Sequence, residues 1–160
     1  MNRFDRYLIW LVAGTAATVA LAWIAFSLQQ EQIAPAILSP LITGGVLGAA
    51  LVAIRRWTAV PTMQVAVVAA AIWGLLAVVG QDYIGHRRRV RAFESEMASQ
   101  GPVGQIALDE ADDLRPRFGD HLTGLVRRQP VWWTVDVLLT AGAAALATAW
   151  GSRRFPAATP

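Results

Sequence analysis

Residues 33–80 read IAPAILSPLITGGVLGAALVAIRRWTAVPTMQVAVVAAAIWGLLAVVG. Two apolar runs, 33–54 and 61–80, flank the connector Arg55-Arg56-Trp57-Thr58-Ala59-Val60. A helix needs about 20 mostly apolar residues to cross a ~30 Å hydrocarbon core, where no water is available to satisfy free backbone groups. Both runs meet that length, and so short a connector can join them only as an antiparallel hairpin. Pro35 and Pro40 fall in the first two turns of the earlier run, where a missing N–H costs least. Pro61 suits the first position of the later one.

Working outward from the hairpin, two further runs have the same character. Residues 7–28 carry no charge and follow the leader Met1-Asn2-Arg3-Phe4-Asp5-Arg6. Their length exceeds the 7 to 15 residues of a signal-peptide core, and Gln29-Gln30-Glu31-Gln32 makes a poor cleavage site, so a retained span is expected. Residues 131–150 are entered after Pro130 and closed by Gly151-Ser152-Arg153-Arg154. The expected fold is an all-α integral membrane protein: one four-helix membrane domain over residues 1–160, with a charged, partly helical extramembrane loop at 81–130 between helices 3 and 4. Composition agrees, since 55% of the 160 residues are hydrophobic, 16% are charged and the mean hydropathy is +0.42. Such values are too apolar for an ordinary soluble domain of this size. The absence of cysteine excludes disulfides, thiolate metal sites and cysteine nucleophiles together.

All 14 basic residues are arginine, and their placement bears on orientation. Four spans put the leader, the Arg55-Arg56 turn and the C-terminus on one side, gathering Arg3, Arg6, Arg55, Arg56, Arg153 and Arg154 there. By the positive-inside rule these three short segments favour cytoplasmic N- and C-termini, in a bacterial inner membrane. The long loop votes the other way, because Arg87, Arg88, Arg89 and Arg91 closely follow the third run and Arg127-Arg128 closely precede the fourth. Five tryptophans, Trp10, Trp57, Trp132, Trp133 and Trp150, fall at or near span ends, where an indole prefers the headgroup level. Trp23 and Trp73 sit deeper, as packed or lipid-facing bulk.

The loop holds eight of the 14 arginines, eight of the 11 acidic residues and both histidines. Its first part, 81–97, lacks proline and extends the third helix until Ser99-Gln100-Gly101-Pro102 breaks it. Phe118, Leu122 and Leu125 recur at i, i+4 and i+7, which predicts a second short helix over 118–128. Asp82, Tyr83 and His86 cluster at the outer end of the third helix. Asp82 and His86 share a face there, a spacing that can orient a histidine as ligand or base. Two ligands do not make a metal site, and His121 joins them only if the loop folds back. No metal and no cofactor are expected, and a bis-histidine haem is disfavoured because neither histidine lies within a span. Arg87, Arg88, Arg89 and Arg91 form a patch suited to anionic lipid headgroups. Without aromatic interleaving it is not expected to bind nucleic acid. Asp109-Glu110-Ala111-Asp112 reads as a solvated acidic turn.

Inside the spans, Asp136 is the most informative polar residue, because a carboxylate at that depth is costly unless protonated, hydrated or paired. No basic residue lies within any span. Ser39 and Thr43 on the second helix are at similar depth and are its candidate partners. Small residues at four-residue spacing, notably Gly44 with Gly48 and Ala70 with Gly74, let helix backbones approach closely where no hydrophobic effect operates between helices.

These features lead to an expected function by deficit. The spans lack the polar rows of a solute path, and the loop lacks a recognisable nucleophile and base. The leading expectation is a non-catalytic accessory or structural subunit of a larger membrane complex, in contact with lipids and with other subunits or with copies of itself. The alternative is a small oligomeric transporter or channel with Asp136 in the path. A third reading is a membrane enzyme or redox protein using the Asp82, His86 and His121 region.

Overall fold

The computed structural model describes residues 2–30, 38–60, 62–101 and 117–156. Among them there is no strand. The described residues form five helices in order: α1 (Arg3–Gln30), α2 (Leu38–Thr58), α3 (Met63–Ser99), α4 (Phe118–Arg128) and α5 (Pro130–Arg154). Four of them, α1, α2, α3 and α5, are long and apolar enough to cross a membrane. The start of the second run with Pro35, the position Pro61 and the acidic turn at 109–112 lie outside the described residues. The chain divides into two compact units, Met1–Gln81 with Thr134–Pro160, and Asp82–Trp133.

Local chemistry explains where the helices begin and end. The α1 helix starts inside the leader, ahead of its apolar run, because Asn2 and Asp5 form a reciprocal cap. The Asp5 backbone N–H donates to Asn2 Oδ1 at 2.9 Å and the Asn2 N–H to Asp5 Oδ2 at 3.1 Å. Two otherwise orphaned donors are thereby satisfied. At the end of α2 the Thr58 hydroxyl lies 3.0 Å from the carbonyls of both Ile54 and Val60. Ala59 takes φ 56°, and its N–H donates to Arg55 O at 2.9 Å. That left-handed residue turns the chain out of α2, a position that glycine usually fills.

The first unit is a bundle whose core comprises Trp10, Leu47, Leu51, Val60, Ala66, Ala70, Trp73 and Ala144. Gly44 and Gly48 press α2 against the α5 backbone. A Cβ on Gly48 would lie 2.6 Å from the carbonyl oxygen of Ala144, and one on Gly44 would be 2.9 Å from the Ala143 methyl. Contacts advance along both chains together, 44 with 140 and 48 with 144, so α2 and α5 run parallel. Gly74 brings α3 to α5 in the same way, 2.7 Å from Ala141 Cα for an added Cβ. Ala66 and Ala70 are buried on that helix. One hydrogen bond crosses the α2–α5 seam, from the Thr148 hydroxyl to Gly48 O at 3.4 Å.

Trp10 is packed inside the bundle. It is 2% exposed and meets Trp73 with ring centroids 4.8 Å apart. Gly14, one turn further along α1, leaves the space that the Trp73 ring occupies, since a Cβ there would come within 2.7 Å of it. The pair thus fills the α1–α3 contact, and the Trp10 indole nitrogen is buried with no hydrogen-bond partner. Trp57, Trp132 and Trp150 are exposed, as is Trp23.

Candidate functional site

The polar residues singled out in the spans divide into two groups. Ser39 and Thr43 are buried, and the Thr43 hydroxyl donates to the Ser39 carbonyl of its own helix at 2.8 Å. Thr18 does the same toward Gly14 O at 2.9 Å and Ser27 toward Trp23 O at 3.0 Å. Such back-bonds satisfy a hydroxyl locally and leave little for a neighbouring helix or a solute. Asp136 is half-buried, one turn before the fully buried Thr140. The parallel register of α2 and α5 sets it level with Ser39 and Pro40.

The second unit gathers most of the remaining titratable groups that the sequence highlighted. On α3, Asp82, His86 and Arg89 lie at i, i+4 and i+7, one face of the helix. On α4, Phe118 and His121 are three residues apart and face them. Tyr83 meets Phe118 edge to face, with centroids 5.1 Å apart and planes at 90°. The His86 ring stacks on His121 at 4.9 Å and 23°, with Phe118 5.9 Å from His86. His86 is 7% exposed. Trp133, at the start of α5, donates its indole N–H to Asp82 Oδ2 at 3.2 Å. The sequence supplied Asp82, Tyr83 and His86 as a group, with His121 joining them only if the loop folds back. It did not reveal Phe118 or Trp133 as members, although the i, i+4, i+7 stripe that begins at Phe118 marks the face of α4 that packs.

Arg89 also plays a part that spacing alone had hidden. Arg89 Nη2 lies 3.0 Å from His121 Nε2. A guanidinium has donors only, so Nε2 must accept, and His121 is therefore neutral with its proton on Nδ1. Burial holds the His121 pKa below the ordinary histidine value, with the positive charges of Arg89 and then His86 acting in the same direction and Asp82 opposing. The Asp82 carboxyl is raised by burial, against the Trp133 hydrogen bond and the charges of His121 and Arg89. Arg87, Arg88 and Arg91 are exposed, and Arg87 lies 6.0 Å from the Tyr83 ring.

The chemistry open to this cluster is narrow. Stacked imidazoles present their faces to one another, so their lone pairs do not converge on a point between them. Among the described residues no group of three histidine, cysteine or acidic side chains is placed to hold a metal ion. The nearby hydroxyls of Ser95 and Ser99 donate to Ala92 O and Glu96 O of their own helix, at 2.9 and 2.6 Å. A shallow cavity of 430 Å³ lies along α4 beside His121 and Arg128. Three ring contacts, Tyr83 with Phe118, His86 with Phe118 and His86 with His121, join α3 to α4, which makes the cluster a clasp between two helices.

Comparison with family models, with curated proteins and with solved structures finds no match to this chain.

Proposed function

We propose that this chain is an integral membrane protein with four spanning helices, α1, α2, the apolar first part of α3, and α5, acting as a non-catalytic accessory or structural subunit of a larger membrane complex. The observation that carries this reading is the filled centre of the bundle. Leu47, Leu51, Ala70 and Ala144 are all at 0% exposure, and Gly44, Gly48 and Gly74 bring neighbouring helices to backbone contact. A solute path through a single copy has little room there, and the hydroxyls of Thr18, Ser27 and Thr43 are turned onto the backbones of their own helices. Meanwhile large apolar side chains face outward, among them Leu146 at 73% and Leu138 at 65% exposure. That surface is suited to lipid tails and neighbouring subunits.

The location we propose is the inner membrane of a bacterium with both termini cytoplasmic. Support comes from the arginines. The close contact of Gly151 with Val52 brings Arg55, Arg56, Arg153 and Arg154 to one end of the bundle. Purification in mild detergent followed by native mass measurement tests the functional reading. Co-purifying foreign subunits support it. A symmetric homo-oligomer that conducts protons or cations in liposomes, and loses conduction in Asp136→Asn, replaces it with the transporter reading. Loss of a parent complex's activity by orders of magnitude in His86→Ala with His121→Ala, assembly intact, would favour a catalytic role for the clasp.

A further inference from the structure

On the outer side of the α2–α5 seam lies a cleft of 490 Å³, within the range of small-molecule pockets. Its α2 wall is the stripe Gly45, Ala49 and Ala53, one residue on from the Gly44 and Gly48 stripe that touches α5. Its α5 wall is Ala147 and Gly151. From Gly45 to Trp57 it extends about 18 Å along α2 at helical rise, close to the depth of one leaflet of a ~30 Å core. One end is therefore lined by small apolar residues, and the other is aromatic and basic.

The basic end is built from paired groups. Arg56 lines the cleft with its guanidinium 6.0 Å from the Phe155 ring, and Arg154 lies 4.4 Å from the ring of Trp150; both aromatics are lining residues. Both arginines are exposed, so their donors face outward from flat apolar supports. Among the described residues lining the cleft none is acidic. These arginines also occupy the last turns of α2 and α5, where the helix ends carry partial negative charge. An anion at this end must accordingly be met by guanidinium side chains and not by backbone N–H groups.

We propose that this cleft binds an anionic phospholipid, one acyl chain lying along Gly45, Ala49 and Ala53 and the phosphate between Arg56 and Arg154. The assignment rests on the membrane reading above and goes beyond it, because it distinguishes one lipid position from the general lipid-facing surface. Charge complementarity selects the headgroup, and leaflet-deep length selects a chain in place of a soluble phosphate.

The test is native mass spectrometry of the full chain in mild detergent with equal amounts of phosphatidylglycerol and phosphatidylcholine bearing the same chains. Phosphatidylglycerol should be retained about fivefold or more over phosphatidylcholine, the scale of one arginine near an anionic surface. Arg56→Gln with Arg154→Gln should bring the ratio to parity. Gly45→Phe should abolish retention of both lipids. A Cβ at Gly45 meets nothing within 4 Å, so this variant fills the cleft without disturbing the seam. Glycerol 3-phosphate should not compete. Equal retention of the two lipids by the wild type overturns the assignment, as does an unchanged ratio in the double arginine variant or unchanged retention in Gly45→Phe. Competition by glycerol 3-phosphate would make it a soluble-phosphate site. A dimer or foreign protein lost in Gly45→Phe would make it a protein-docking groove. Recovery of the chain in the supernatant after detergent-free lysis defeats the membrane reading as well, whereas a membrane-retained chain with no lipid preference defeats the cleft alone.

Discussion

The α2–α5 seam and the α3–α4 clasp are both contacts between helices, yet they use opposite materials. The seam removes side chains: Gly44 and Gly48 let α2 reach the α5 backbone, and the Thr148 hydroxyl donates across it to Gly48 O. The clasp adds them: Phe118, His121, His86 and Tyr83 interlock as rings, and Arg89 and Asp82 bond at the edges. On the membrane reading proposed above, the difference follows from the solvent each contact must exclude. Against lipid, apolar side chains gain nothing by leaving an equally apolar medium, so close backbone approach and dispersion must supply the attraction. Against water, burying rings is favourable in itself, and polar atoms at the rim can be exchanged for solvent at little net cost.

The strongest way to break this contrast is to restore a side chain to the seam. Gly48→Leu should destabilise the bundle by about 3 kcal/mol or more, because the added atoms meet the Ala144 carbonyl and the Ala147 methyl with no room to yield. Its neighbour Gly45→Ala should be neutral or stabilising by up to about 1 kcal/mol, since the Cβ enters open space and glycine is a poor helix former. Denaturation of the two variants in detergent micelles measures both, and equal stability would show that the seam is not a close contact.

Asp136 sharpens the comparison within the bundle, as a polar group on an otherwise small-residue helix. If it is structural, Asp136→Asn should be tolerated and Asp136→Leu should weaken the fold or its assembly by roughly 0.6 to 2 kcal/mol, the range of intramembrane hydrogen bonds. Parallel unfolding curves and native masses of the two variants check this. Comparable losses in both would point to the charge itself as the required feature.

In the clasp the expected effects are smaller, because His121 is only half-buried and solvent screens it. Its depressed pKa means that the unfolded chain takes up a proton first, so stability from this group is lost as pH falls below the ordinary value near 6.5. Protonation also removes the acceptor that Arg89 uses. Asp82 has the opposite sign. With its pKa raised from 3.8, the unfolded chain gives up its proton first, so stability is lost as pH rises from that value through the folded pKa. Amide protection factors across 118–128, corrected for the intrinsic pH dependence of exchange, should therefore fall below about pH 6.5, and His121→Gln should remove that acid limb. Asp82→Asn keeps an acceptor for the Trp133 N–H and should leave only the acid limb. An acid limb that persists in His121→Gln would place the titration elsewhere.

The smallest expected change is at the turn between α2 and α3. Ala59→Gly should stabilise by about 1 kcal/mol, relieving the left-handed strain at φ 56° against the extra freedom that glycine gains when unfolded. Thermal melts of this variant, compared with Gly48→Leu, would calibrate the scale of the other effects. A loss of stability would mean that Ala59 contributes packing that outweighs its backbone cost.

Much of the fold was legible in the sequence because it depends on local quantities. The lengths of four apolar runs, the six-residue connector at Arg55 and the stripe Phe118, Leu122 and Leu125 are all properties of neighbours along the chain. Apolar length and periodicity act within a few turns, so no partner is needed to read them. The candidate group Asp82, Tyr83, His86 and His121 was legible as a composition, but its purpose was not. Only the tertiary structure decided that Trp10 lies in the core against Trp73, since that required Gly14 to vacate space beneath a ring from another helix. It alone separated Arg89 from its neighbours in the basic patch by giving it His121, and it alone set Gly45, Ala49 and Ala53 beside an arginine-lined cleft. Each of these depends on how one helix is rotated against another. That rotation is fixed by close packing among many residues at once, and no single stretch of the chain encodes it.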